Sequence, residues 1–200
     1  MEFVNSETRM NLARSFAGEA QARARYTAYA AQARKEGLEW IARIFEETAD
    51  NEAIHAKEFL EQIQMQGGMA DNLELNGGYP FLLGKTQENL RFAALGEWEE
   101  HSSVYPQFAE LARREGFPDV ARLWLRIATI EAVHHQRFQT LAEQMEQNSL
   151  LHKEEPILWQ CINCGFTYES TKALESCPVC AKGAGWQKNS LEEKKFLPKK

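Results

Sequence analysis

Apolar side chains recur at steps of three and four through nearly all of residues 5 to 148, the period of an amphipathic helix. "KEG" at 35–37 and "REGFP" at 114–118 interrupt the pattern, and "QGGMADNLELNGGYP" at 66–80, dense in Gly and closed by Pro, reads as a loop. Four long helices are expected, over about 5–35, 38–65, 84–115 and 118–148, joined by a short, a long and a short connection. A four-helix bundle with one long crossover satisfies that order. After "NSLLHKEEP" the chain turns to aromatic, Cys, Gly and Pro residues, marking a small second module from about residue 157. The predicted organisation is a helical domain over 1–150, a Cys-rich module over 156–190 and a charged tail over 191–200.

The inner stripes of these helices carry acid where hydrocarbon is expected. The second helix runs Ile41, Phe45, Thr48, Glu52, His55, Phe59 and Ile63, and the fourth runs Val120, Trp124, Ile127, Glu131, His134, Phe138, Leu141 and Met145. The first runs Leu12, Phe16, Glu19, Arg23, Tyr26 and Ala30, and the third Leu90, Ala93, Glu97, Glu100, Val104 and Leu111. The two helical pairs also repeat one another. "ARKEGLEWIARIF" at 33–45 matches "ARREGFPDVARLW" at 112–124, and the same offset of 79 carries Tyr26 to Tyr105, Glu52 to Glu131, His55 to His134 and Phe59 to Phe138. A duplication of this kind predicts a pseudo-twofold bundle whose equivalent residues face each other across its axis.

Five carboxylates and two imidazoles on buried faces would repel one another and resist desolvation. Metal cations remove both costs, and a carboxylate-rich site with a few imidazoles suits iron or manganese. Glu-x-x-His serves because positions i and i+3 share a helix face. A solitary Glu-x-x-His is ordinarily a solvated surface pair, whereas two related by a repeat, each on an apolar stripe and accompanied by Glu19 and Glu97, point to the di-metal carboxylate centre of helical bundles. Glu100 is a fifth carboxylate on the face of Glu97. Glu19 precedes Tyr26 by seven residues but Glu97 precedes Tyr105 by eight, and this insertion predicts a π-type bulge, a feature frequent at functional sites. Tyr26 and Tyr105 are then expected to donate from their phenols to ligand carboxylates. His101 and His135 fall off the stripes, and His152 lies in the linker.

Composition narrows the partners. The chain has 44% hydrophobic and 26% charged residues with a formal charge of −6, which argues against nucleic acid or an anionic membrane as partner. The N-terminal stretch has no apolar core of a secretory signal, and no run has the length of a membrane span, so a cytoplasmic location is expected. All four Cys lie in "CINCGFTYESTKALESCPVC" at 161–180. Cys161, Cys164, Cys177 and Cys180 form two Cys-x2-Cys knuckles, the spacing of a tetrahedral tetrathiolate. Spacing alone leaves zinc and iron both open.

With these residues assembled, the chain resembles the rubrerythrin family over nearly its full length. The motifs are "GEAQARARYTAYA" with Glu19, "EAIH" at 52–55, "GEWEEHSSVYP" with Glu97 and Glu100, "EAVH" at 131–134, and the two Cys knuckles. Ordinary rubredoxins place Gly after the last knuckle Cys, where this chain has Ala181. The resemblance implies a mainly α fold, a ferritin-like four-helix bundle followed by a small rubredoxin-like β module. It implies a cytoplasmic non-haem di-iron peroxidase that reduces hydrogen peroxide to water, supplied with electrons by a rubredoxin or an NAD(P)H-dependent reductase. Glu52 and Glu131 would bridge two irons, Glu19 and Glu97 would be terminal carboxylates, and His134 a fixed imidazole. His55 and Glu100 match positions that exchange on one iron with redox state, and the four Cys would hold a third iron that passes single electrons. A head-to-tail homodimer is implied as well. Ferritin-like iron oxidation and storage, or a zinc-ribbon binding module, are the rival readings.

Overall fold

The computed structural model describes residues 2–67 and 72–189; the C-terminal tail expected over 191–200 and part of the first Gly-rich segment lie outside them. The bundle is built from α1 (Glu7–Lys35), α2 (Glu39–Gly67), α3 (Thr86–Glu99), α4 (Tyr105–Glu115) and α5 (Pro118–Glu146), with the π-helical segment Glu100–Val104 joining α3 to α4. The third predicted helix is therefore one rod with a π segment in it, where the sequence insertion falls. Eight regular α-helical residues from Glu97 would turn Tyr105 roughly 80° away from the inner face. The π turns absorb the extra residue, and Tyr105 returns to full burial. Pro106, which has no N–H to donate, follows directly.

The repeat is visible in the helix ends. Leu38 N–H donates to Ala33 O at 2.9 Å, and its equivalent Phe117 donates to Ala112 O at 2.8 Å. Gly37 and Gly116 occupy the left-handed position of each stop at φ 76° and 95°, the conformation glycine takes without steric cost. At the start of α1, Ser6 caps by accepting from Arg9 N–H. Two apolar clusters fill the bundle. One gathers Tyr26, Tyr29, Phe45, Leu90 and Phe138, and the other Leu12, Phe59, Tyr105, Val120 and Trp124. Along α1, α2 and α5, residues 19, 52, 55, 131 and 134 fall between the two clusters. Phe16 and Arg23, read on the inner stripe of α1, lie on its exposed side instead.

The second module is a three-stranded antiparallel sheet ordered β2-β1-β3, with β1 His152–Cys161, β2 Thr167–Lys172 and β3 Gln187–Asn189. Strand β1 starts inside the stretch read as linker. Its register with β2 shifts between His152 and Ile157, around Pro156, which cannot donate to a ladder. Trp159 is fully buried and donates its indole N–H to Ser170 O at 2.9 Å. The module rests on the start of α2. Arg43 donates to Ile162 O at 3.1 Å and lies over the Trp186 ring, while Gly185 packs so closely on Gly37 that an added Cβ would sit 1.7 Å from the Gly37 carbonyl oxygen. No helix among the described residues is long and apolar enough to cross a membrane.

Candidate metal centres

The i, i+3 spacing on α2 and α5 brings the two Glu-x-x-His motifs face to face. Nδ1 of His55 lies 2.8 Å from Glu52 Oε2, 3.0 Å from Glu131 Oε1 and 3.8 Å from Glu19 Oε1. Nδ1 of His134 lies 2.8 Å from Glu131 Oε2, 3.2 Å from Glu52 Oε1 and 3.5 Å from Glu97 Oε2. Glu52 and Glu131 thus turn one oxygen toward each imidazole, and the rings stand 6.1 Å apart, centre to centre. Two donor sets result, Glu19/Glu52/His55/Glu131 and Glu52/Glu97/Glu131/His134, all buried and sharing both central carboxylates. Glu100 belongs to neither. It is half-buried at the start of the π segment and lines the adjoining cavity.

The predicted phenol contacts are present and crossed between the repeats. Tyr26 on α1 donates to Glu97 on α3, and Tyr105 at the start of α4 donates to Glu19 on α1. His134 has a further partner that the sequence did not single out, Asn51 Oδ1 at 3.2 Å from its Nε2. Its signal was present one residue before Glu52, but a polar residue beside a ligand has no distinguishing pattern. His101 and His135 stay outside the centre, their Nδ1 atoms 2.8 Å and 2.7 Å from the carbonyls of Ala128 and Ala94.

The electrostatics show why the centre suits cations. Burial, then the neighbouring Glu52 and Glu131, push Glu97 up to about 8. Burial and the surrounding carboxylates raise Glu19 and Glu100 well above the ordinary range, and Tyr26 and Tyr105 likewise. Burial opposes a charge on His55, but Glu131 and Glu52 outweigh it and raise the imidazole to about 9. Glu131 shows the reverse balance, as His134 and His55 overcome burial and hold it at about 2. The short imidazole–carboxylate approaches nevertheless lack hydrogen-bond alignment. Both Nδ1 atoms, both oxygens of Glu52 and of Glu131, and one oxygen each of Glu19 and Glu97 are buried without a hydrogen-bond partner. Buried polar atoms are otherwise almost always satisfied. Eight orphaned donor atoms converging on one volume fit a pair of cations.

In the module, Cys161 Sγ is 3.7 Å from Cys180 Sγ and Cys164 Sγ is 3.6 Å from Cys177 Sγ, and all four thiols are free. Sulfurs at the corners of a tetrahedron around a metal about 2.3 Å away stand roughly 3.8 Å apart, so the four thiols fit one ion. Each knuckle closes with a left-handed residue. Gly165 (φ 79°) donates to Cys161 O and Ala181 (φ 59°) to Cys177 O, both at 2.8 Å.

Both parts of the chain match known proteins. The sequence model of the family described as Rubrerythrin matches residues 10–142 and 88–158, and that of the rubrerythrin rubredoxin-like domain matches 159–185. A rubrerythrin of Clostridium perfringens is 46% identical over 178 residues, 88% of this chain and 90% of that one. A rubrerythrin of Porphyromonas gingivalis is 46% identical over 177 residues, 88% and 86% of the two chains. Among solved structures, nigerythrin in its fully reduced, all-ferrous state is similar at a TM-score of 0.61 and 28% identity, covering 91% of this chain and 88% of that one. Both the helical bundle and the Cys-rich module fall within these matches, and the chain belongs to the rubrerythrin family.

Proposed function

We propose that the protein is a peroxidase of oxidative-stress defence that reduces hydrogen peroxide to water. The observation that carries this reading is the pairing, in one chain, of a di-metal donor set with a tetrathiolate module. Glu19, Glu52, His55 and Glu131 would hold one iron, and Glu52, Glu97, Glu131 and His134 the other, with Cys161, Cys164, Cys177 and Cys180 holding a third. Iron bound in the bundle would supply a two-electron reductant and Lewis acidity, and iron held by the four Cys would supply single electrons. Peroxide takes up two electrons and two protons to give two waters. In the state in which His55 is the ligand, Glu100 lies outside both donor sets and is left free to hold and hand on a proton beside the cavity. Tyr26 and Tyr105 orient Glu97 and Glu19 from behind. His55 lies within one donor set while Glu100 stands beyond both, which supports reading them as alternative ligands of one iron. The electrons come from a rubredoxin or an NAD(P)H-dependent reductase, and the assembly is a head-to-tail homodimer in the cytoplasm.

Metal analysis with visible spectroscopy tests this directly. The expected result is iron in both the bundle and the module, with an Fe–thiolate band that bleaches on reduction and returns on adding peroxide. Glu52→Ala or Glu131→Ala removes a shared carboxylate and is expected to empty or scramble the bundle pair while sparing the thiolate band. Retention of both bundle irons and of peroxide turnover in either variant rejects the assignment.

A further inference from the structure

Gly18 on α1 and Gly96 on α3 lie inside long helices, and each directly precedes a buried carboxylate, Glu19 and Glu97. Glycine is less stable than alanine in such positions, so its presence needs a cause. Backbone geometry is not the cause, because neither residue has a positive φ. Crowding is not the cause either. A Cβ on Gly96 would meet nothing within 4 Å, and one on Gly18 would meet only the Tyr79 ring at 3.8 Å, an ordinary contact. What the two share is a cavity of about 260 Å³, lined by both glycines together with Arg25, Tyr79, Glu100 and Tyr105. The crossover roofs it. Tyr79 O–H donates to Arg14 O at 3.3 Å, Gln21 donates to the Pro80 carbonyl, and Tyr29 O–H donates to Leu82 O at 2.7 Å. Its inner wall borders the metal centre, since Tyr105 donates to Glu19 and Glu100 opens the π segment three residues after Glu97.

We infer that Gly18 and Gly96 are kept free of side chains to hold open a passage between α1 and α3, beneath the crossover, through which a small polar solute of the hydroperoxide class reaches the bundle's metal centre. The identity of that solute rests on the proposed peroxidase reading; the passage does not. Sites for drug-sized ligands occupy roughly 300–1,000 Å³, so this cavity suits a molecule of few heavy atoms. A methyl group at either position intrudes on its volume, and an isobutyl group at Gly96 occupies much of it.

The test uses the iron-loaded full chain carrying Gly18→Ala, Gly96→Ala or Gly96→Leu, with azide as a probe that ligates ferric iron. Both alanine variants are expected to melt at a higher temperature than the parent while binding azide more slowly, with iron content unchanged. Stability and access then move in opposite directions, which a purely structural role would not produce. Gly96→Leu is expected to slow azide binding by roughly tenfold, the signature of an obstructed association step. It should also depress kcat/KM more for tert-butyl hydroperoxide than for hydrogen peroxide. Azide binding at the parent rate in a fully loaded Gly96→Leu protein overturns the passage. Should that variant not load iron, parent azide rates in both alanine variants overturn it equally. Slowed azide binding in loaded variants of a parent that shows no peroxide turnover supports the passage and counts against the peroxidase reading.

Discussion

His55 and His134 are equivalent by the internal repeat, yet the chain anchors them differently. Nε2 of His134 stands 3.2 Å from Asn51 Oδ1, an acceptor for the tautomer that carries its N–H on Nε2 and turns Nδ1 to the carboxylates as a ligand. At the position equivalent to Asn51 the second repeat has Ile130, which has no polar side-chain atom, and His55 borders an opening lined by Ile54, Ile127 and Ile130 together with Asn51, Glu58 and Arg126. Partners behind a ligating imidazole fix its tautomer, and their loss typically weakens metal binding by about 10–100-fold. Asn51→Leu is therefore expected to weaken loading of the His134 set by that factor, with rescue by Asn51→Asp; titrating ferrous iron into the metal-free variants measures it. The same centre sets a pH dependence. Without cations, the folded state holds a proton on His55 up to about 9 against an ordinary 6.5, and on Glu97 up to about 8 against 4.5. The folded chain then binds more protons than the unfolded one. The stability from His55 is full below pH 6.5 and lost as pH rises through about 9, while the penalty from Glu97 builds from pH 4.5 to about 8. Glu131, held at about 2, acts oppositely and stabilises above pH 4.5. The metal-free protein is thus expected to melt at falling temperature between roughly pH 6.5 and 9, and the loaded protein not to, because metal replaces those protons. A loss of equal size in both forms, seen by calorimetry, contradicts this account.

At the scale of elements, most boundaries were legible because local chemistry fixes them. Gly37, Gly116 and Pro118 end and restart helices wherever they stand, and the observed helices keep within a few residues of the periodic pattern. The π segment was legible for a different reason, since an internal repeat supplies its own reference and exposes a single inserted residue. Strand β1 was less so. "HKEEP" has charge and proline where a strand normally shows alternation, and only its pairing with β2 across the register shift makes it a strand. The seat of the module on α2 was not legible at all, because the contact of Gly185 with Gly37 joins residues far apart in sequence with no shared pattern. At Ala181 local preference and structure disagree, a side chain held at φ 59° where Gly165 closes the sister knuckle. The left-handed conformation costs an alanine on the order of 1 kcal/mol. Ala181→Gly is accordingly expected to stabilise the module by about that amount, raising the temperature at which the thiolate band is lost. A lower temperature would show that the methyl group makes contacts worth more than the strain.

For the molecule as a whole, the donor residues could be read from sequence because a duplicated fold doubles every signal, whereas the path between the two metal sites could not. The sequence allowed the module either to fold back along the bundle or to stay at its end. It stays at the end, against Gly37 and Arg43. Arg43 stands about 14 Å of helix from Glu52 at 1.5 Å per residue, and Cys161 shares a surface opening with Arg43 and Glu47 rather than with the bundle's carboxylates. Electron tunnelling falls off steeply over such a span, so transfer within one chain is expected to be slow. A closed twofold dimer, the commonest assembly of identical chains, offers a shorter path if each module lies against its partner's bundle centre. The decisive mixture pairs a chain carrying Cys161→Ser and Cys164→Ser with a chain carrying Glu52→Ala. Neither parent can turn over, since one lacks the thiolate iron and the other lacks the bundle pair. In the heterodimer the intact module and the intact bundle centre belong to different chains, so peroxide turnover driven by an added reductant specific for the module returns only when electrons cross between subunits. One crossed path of two is expected to restore about half the parent rate per dimer, because a symmetric assembly contains two equivalent paths. Isolated heterodimers that hold both irons of the intact bundle and the iron of the intact module, yet show no turnover, reject the crossed path and place the electron route within a single chain.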